Sequence, residues 1–227
     1  MFLTDILQPL LRFVPSHLQS TADFIARLTA FEPSFNHSLK FASLDVTNLY
    51  GSIPILNAEV MDLVTCVQNL FRRHYSDSGA PNLHVDDVKT LLLLATMEDN
   101  YILDGKIRKQ STGLAMGNNA APILASIFMH FVEEKIFERY EIPFWARFVD
   151  DVFLVYEPRD DLLEIVNAVH GNISFTVEHS VSDTLPFLDT LVTWSEDLRK
   201  FEFSLYVKPV HSGACLPFSS HVPAQRS

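Results

Sequence analysis

This 227-residue chain has little cysteine, little glycine and a deficit of basic charge: two Cys, seven Gly, and 17 Lys+Arg against 28 Asp+Glu. Two thiols, Cys66 and Cys215, exclude a disulfide framework and a CxxC zinc site and suit a reducing compartment; their pairing with each other is left open. The glycines and the 12 prolines are scattered, so no linker divides the chain, and no internal repeat is visible. The longest apolar runs, such as 91–95, fall far short of the ~20 residues that span a bilayer, which excludes a transmembrane helix. The N-terminal MFLTDILQPLLRFVP lacks a basic n-region, carries Asp5 early and shows no small-residue cleavage site, so residue 1 is expected to stay attached. There is no GxSxG, no P-loop and no HExxH, and hydrolase and NTPase readings have no support.

What is present is a globular composition, 48% hydrophobic and 20% charged, long enough for one large domain or a piece of something bigger. The formal net charge of -11 argues against an anionic partner such as nucleic acid. The imbalance is uneven, however. Residues 1–40 are neutral, with Arg12, Arg27 and Lys40 against Asp5, Asp23 and Glu32, and a small basic cluster of Lys106, Arg108 and Lys109 sits mid-chain.

Hydrophobic periodicity orders the elements. The run FASLDV at 41–46 has the length of a core strand with Asp45 near its end, followed by a turn-like NLYGSIP. Val60, Leu63, Val64, Val67, Leu70 and Phe71 recur at three- and four-residue spacing and predict a helix over 57–75 capped by Asn57. A helix over 85–97 follows, then a hairpin in which YIL and KIRKQ are joined by Asp104-Gly105, a type I′ turn dipeptide. A Gly-containing loop feeds a long helix with Ile123, Ile127 and Phe131 in one row and Pro122 in its first turn. Residues 145–156 predict the tightest hairpin, joined at Asp150-Asp151; a helix opens at Pro158 and closes at Gly171, and strands follow at 173–178, 186–193 and 201–207. The order predicts an α+β fold, an antiparallel sheet with helices on one face.

Asp-Asp occurs at 86–87, 150–151 and 160–161. The first and last open helices, where acidic groups favour the positive end of the macrodipole. Asp150-Asp151 instead interrupts two apolar runs, RFV and VFLVY, and a carboxylate held there needs a cation. Asp45 is in the same situation. Arg147, the one nearby cation, faces away from Asp150 on a strand of period two. If the Asp45 strand lies beside this hairpin, three carboxylates converge. Hard oxygen ligands suit Mg²⁺, and two such ions serve in-line phosphoryl transfer. Solvated turn aspartates are the plainer alternative. His211, Cys215 and His221 are irregularly spaced for zinc.

The succession SLDVTNLYGSIP, GLAMGNNAAPILASIF, RFVDDVFLVY, LPFLDTLV and YVKPVHSG resembles the palm of a reverse transcriptase, most closely the Penelope-like retroelement branch. The resemblance covers the chain from about Leu39 onward. It implies a polymerase palm with a ferredoxin-like antiparallel sheet at 39–210, a residual fingers-like or connecting segment at 1–38 and a tail at 211–227, with fingers incomplete and no thumb. It implies RNA-directed DNA polymerisation, with two Mg²⁺ ions (Mn²⁺ a possible substitute) held by Asp45, Asp150, Asp151 and the main-chain oxygen of Val46. Tyr50 then stacks under the incoming sugar and rejects a 2′-hydroxyl; a core aromatic is the other reading. Gly117 and Asn118 fall in the loop that contacts nucleotide, although Asn118-Asn119-Ala120 stands where many relatives have Ser-Pro-Leu. Lys106, Arg108 and Gln110 fall where template is contacted, and Lys208 in the primer-grip region; solvated surface groups are the alternative for each.

The implied partners are an RNA template, a DNA primer and deoxynucleoside triphosphates, with no membrane, in the nucleus or cytoplasm. Two further hypotheses stand beside this one. A retroelement remnant that binds a partner without catalysis suits the charge of -11. Other nucleotidyltransferases and cyclases also place two metals on such a sheet, but AMGNNAAP and Tyr50 speak against them.

Overall fold

The computed structural model describes residues 2–31, 39–57, 59–74, 83–97, 100–103, 106–109, 113–115, 117–158 and 161–207. Helix α1 (Phe2–Leu7) continues into a 3₁₀ segment (Gln8–Phe13), and α2 (Thr21–Ala30) precedes strand β1 (Lys40–Val46). Then come α3 (Leu49–Ser52), α4 (Leu63–His74), α5 (Val85–Met97) and the hairpin β2 (Asn100–Leu103) and β3 (Lys106–Lys109). The central helix α6 (Ala121–Phe137) leads into β4 (Phe144–Phe148) and β5 (Asp151–Tyr156), α7 (Leu162–Asn167) and β6 (Phe175–His179). Strands β7 (Thr184–Phe187), β8 (Thr190–Ser195) and β9 (Lys200–Leu205) end the described chain.

The main sheet runs β4-β5-β1-β6, each neighbour antiparallel. With helices between β1 and β4 and between β5 and β6, this is the ferredoxin-like β-α-β-β-α-β arrangement, so the predicted α+β architecture is the observed one. Alternation along the strands sorts two cores. Ala42, Leu44 and Val46 of β1 and Val152, Leu154 and Tyr156 of β5 point to the helix side, where α4 and α6 supply Leu63, Val67, Phe71, Leu124, Ile127, Phe128 and Val132. Helix α6 is buried over twelve of its 17 residues, which is why its apolar row reads so strongly in the sequence.

The opposite face is not open, as a helix-on-one-side reading expects. Phe41, Phe153 and Val155 pack there against α2 and the small sheet β7-β8-β9 through an aromatic cluster of Phe24, Phe187 and Phe201. Ring centroids lie 4.7 Å apart for Phe24 and Phe187 and 5.1 Å for Phe24 and Phe153, edge-to-face or tilted, the geometry that aromatic quadrupoles favour.

Several boundaries differ from the periodicity. Helix α4 starts at Leu63, not Asn57, because the buried Asp62 carboxylate accepts the Thr65 N–H at 2.8 Å and is the cap; it also accepts the Asn57 N–H at 3.2 Å. Pro158 does not open a helix; α7 begins at Leu162 and ends before Gly171. The run 186–193 is two strands, since Leu188 turns at φ +52° and the Thr190 hydroxyl donates to Phe187 O at 2.8 Å, closing a tight hairpin inside an apolar stretch. NLYGSIP holds the short helix α3. Asp86 and Asp87 lie in the first turn of α5, as the macrodipole favours. The Asp104-Gly105 turn and Asp160 lie outside the described residues. Among the described residues no helix is long and apolar enough to cross a membrane.

The N-terminal segment belongs to the same core. Leu3, Ile6, Leu7, Leu10 and Val14 are buried with α6, and residues 16–18 extend the main sheet by bridging Arg147 of the edge strand β4.

Candidate active site

The register sets two of the sequence-selected carboxylates side by side. Asp45, near the end of β1, is the direct cross-strand partner of Asp151, the first residue of β5. The next step along is a hydrogen bond from Val46 N–H to Asp150 O at 3.1 Å, which makes Asp45 and Asp151 the neighbouring narrow, non-hydrogen-bonded pair with side chains on one face. Both are exposed, on the face that carries Phe41 and Phe153, at the end the small sheet leaves uncovered. Asp150 sits half-buried in the two-residue turn between β4 and β5.

Like charges directly opposite each other in a sheet repel, and in this pair both carboxylates are exposed to water. Arg147 does not neutralise it. Its register partner is Val152, on the helix face, so Arg147 points away from Asp151 as the period of two requires. The donors are hard carboxylate oxygens on two adjacent strands and on the β4–β5 turn, of the kind that suits Mg²⁺ or Mn²⁺. Among the described residues, however, no three His, Cys, Asp or Glu side chains are gathered into one metal-holding group. Neither the 370 Å³ cleft by Leu39 and Trp194 nor the 670 Å³ cleft by Arg12 and Val149 is lined by any of the three carboxylates.

Tyr50 lies on α3, half-buried at the edge of the helix-side core. Its phenol is pushed above the ordinary tyrosine range, first by burial and then by the charge of Asp150, so the ring and the turn are electrostatic neighbours. The segment after the β2–β3 hairpin is laid against this helix. Leu114 N–H donates to Tyr50 O at 2.7 Å, and Gly113, at φ +72°, lies so close that a Cβ would meet Tyr50 O at 2.6 Å and the Gly51 Cα at 2.7 Å. Only glycine fits this contact. Gly117, in the same loop, is unlike it: an added Cβ there would meet nothing.

Asn118 holds the loop together. Its amide donates to Ala95 O at the end of α5 at 2.7 Å and accepts the Ala120 N–H at 2.9 Å, just before α6 begins. Lys106 and Arg108 lie on β3, opposite Leu103 and Tyr101; Gln110 and Lys208, together with His211, Cys215 and His221, lie outside the described residues. Val46 is buried on the helix face, with its N–H spent on Asp150 O.

Sequence reasoning missed a polar network under the site. Arg147 and Glu133 are 0% and 1% exposed and bonded Nε to Oε1 at 2.6 Å. The signal was there in a carboxylate on the buried face of α6, but its partner could not be chosen from spacing.

The fold defined by this sheet, its helices and the carboxylate-bearing turn is polymerase-like. Solved structures with the same fold include telomerase from Candida tropicalis truncated from the C-terminal domain, at 15% identity and a TM-score of 0.63 over 90% of this chain and 45% of that one. Telomerase from Candida albicans in complex with a fragment of telomeric RNA matches at 13% identity and a TM-score of 0.64, over 97% of this chain and 39% of that one. The RNA-dependent RNA polymerase of a human picobirnavirus matches at 13% identity and a TM-score of 0.51, over 77% and 32%. The chain thus spans less than half the length of each. No protein-family profile and no curated protein sequence matches it.

Proposed function

We propose that this chain is the palm of a template-directed nucleotide polymerase, and within that class an RNA-directed DNA polymerase of the Penelope-like retroelement branch. The observation that carries the reading is the placement of Asp45 opposite Asp151, with Asp150 in the adjoining turn and Tyr50 beside it, on a polymerase-like fold. The finer assignment to a reverse transcriptase is supported by the five ordered sequence blocks.

Asp45, Asp150 and Asp151, with the Val46 carbonyl, would hold divalent ions, Mg²⁺ or Mn²⁺. When bound, these supply the positive charge that activates a primer 3′-hydroxyl and neutralises a triphosphate. The chain's own contribution is positional, which is most of what phosphoryl transfer asks of a protein. The antiparallel register fixes two carboxylates side by side. Tyr50 presents a ring where an incoming sugar would lie, with its proton held on by burial and then by the nearby Asp150 charge. Gly113 lets the following loop approach that ring, and Asn118 ties the loop to α5 and α6, leaving Gly117 open toward a nucleotide. Lys106, Arg108, Gln110 and Lys208 are the groups we assign to template and primer. The telomerase complex with telomeric RNA is a neighbour with a nucleic-acid partner, which supports the same class of partner here.

The test is extension of a DNA primer on an RNA template, with deoxynucleotides and ribonucleotides supplied separately. The expected result is deoxynucleotide addition, with ribonucleotide addition rising when Tyr50→Val removes the ring. Preferential ribonucleotide addition by the unaltered chain would move the assignment to an RNA polymerase. The net charge of -11 favours a second reading, a retroelement remnant that binds a partner without catalysis. That reading predicts no extension with either nucleotide.

A further inference from the structure

We infer that the buried Glu133–Arg147 pair is a positioning device, in which the guanidinium clamps the Val149 carbonyl and thereby holds the turn that presents Asp150 and Asp151. This deepens the polymerase reading and rests on it.

Each donor of the Arg147 fork has a different job. Nε bonds Glu133 at 2.6 Å, one terminal nitrogen donates to Ser126 O on α6 at 3.1 Å, and the other donates to Val149 O at 3.0 Å. Glu133 is itself fixed from two sides, its Oε2 by the Ser16 hydroxyl at 2.5 Å and its Oε1 by the Trp145 indole N–H at 3.0 Å. Ser16 is 5% exposed, and its carbonyl accepts the Arg147 N–H at 2.7 Å. The network therefore joins the N-terminal segment, α6, β4 and the turn.

Its target is the least comfortable residue of the site. Val149 has φ +59°, a left-handed conformation that a β-branched residue strongly resists. Such strain persists only where the surroundings over-determine it, and it concentrates where a precise presentation is needed. Here it lies next to Asp150, one step before the strand on which Asp151 meets Asp45. A buried ion pair adds little stability over apolar packing of the same volume, so stability alone does not account for a charge pair in this core. A planar, three-way donor does account for it. Lysine, a point charge on a flexible stem, cannot reach Glu133, Ser126 O and Val149 O together.

The test is Mn²⁺ binding followed by electron paramagnetic resonance, which needs no turnover, with circular dichroism confirming that each chain is folded. Four chains are compared: wild type, Asp150→Asn, Arg147→Lys, and Arg147→Lys with Val149→Asn, asparagine being at ease with positive φ. The expected result is binding by wild type, loss in Asp150→Asn, weakening by about tenfold or more in Arg147→Lys, as for other groups that orient metal ligands, and recovery of most of that loss in the double variant. The recovery separates positioning from mere scaffolding, because Val149→Asn restores no buried contact. Ser16→Ala, which deletes one hydroxyl from the network, is the milder variant should the lysine chain not fold; about threefold weaker binding is expected. Wild-type affinity in folded Arg147→Lys, or in Ser16→Ala where the lysine chain does not fold, overturns the clamp while leaving the cation site standing. Equal binding by wild type and Asp150→Asn overturns the cation site, and the clamp with it.

Discussion

Asp45 and Asp151 face each other across two antiparallel strands, two carboxylates at one narrow pair on the same side of a sheet. Like charges placed opposite each other in a sheet repel. If the site serves a cation as proposed, removing one carboxylate should relieve the repulsion and remove the function together. Asp45→Asn is expected to raise the unfolding free energy in chelator by roughly 0.2–1 kcal/mol, the size of a cross-strand charge repulsion. Wild type should gain stability on addition of Mn²⁺, by about 2.7 kcal/mol at a hundredfold excess over the dissociation constant, and the variant should not. Urea denaturation with and without the ion measures both.

The glycine next to Tyr50 gives a second expectation. At Gly113 both the φ of +72° and the 2.6 Å approach of Tyr50 O exclude a side chain. Gly113→Ala should cost about 1–3 kcal/mol and release the Leu114 N–H from Tyr50 O. Faster hydrogen exchange at the Leu114 amide, together with a lower denaturation midpoint, is the expected outcome; Gly117→Ala, in open space, should change neither.

The buried pair has an energetic consequence apart from its positioning role. Removing the cation in Arg147→Met leaves the Glu133 carboxylate enclosed with only the Ser16 hydroxyl and the Trp145 indole. A loss of about 3–5 kcal/mol is expected, the usual result of breaking one half of a buried pair, measured by urea denaturation at neutral pH.

Histidine burial sets an acid limit. His17 lies below the ordinary value of about 6.5, chiefly through burial and then through the charges of Arg147 and Arg27. His130 is also lowered, by burial, against the opposing pull of Glu134 and Glu133. Both are held neutral in the fold and take up protons more readily when it opens. Their contribution is therefore present above about pH 6.5 and declines as the pH falls from there toward the lowered values. Stability measured at pH 7.5 should exceed that at pH 5.5, and His17→Gln should flatten part of the difference.

Much of the fold was legible because its strongest elements are buried enough to print a clear period. Helix α5 matches the expected 85–97, the α6 row reads directly, and the hairpin at 144–156 falls where two apolar runs flank the aspartates. Elements whose limits depend on capping or on a turn inside an apolar run were not legible. Asp62 took the cap from Asn57, and Leu188 broke a strand that hydrophobicity alone continues. Within the site, residue types could be chosen from sequence, but not the course of Arg147, which turns inward to Glu133 and is 0% exposed. The register that sets Asp45 against Asp151 could not, since apolar strands of this kind pair equally well shifted by two. Glu133 and Arg147 stand 14 positions apart, and Ser16 a further 117 from Glu133, so only the folded chain joins them.

Asp150 and Asp151 are proposed to serve template-directed nucleotide addition. Primer extension on an RNA template with Mg²⁺ and deoxynucleotides tests it, comparing the wild-type chain with Asp150→Asn, Asp151→Asn. Extension by wild type and none by the variant is the expected result. Extension that survives the loss of both carboxylates would contradict the assignment of the site, and no extension by wild type would contradict polymerisation by this chain and leave the binding role in its place.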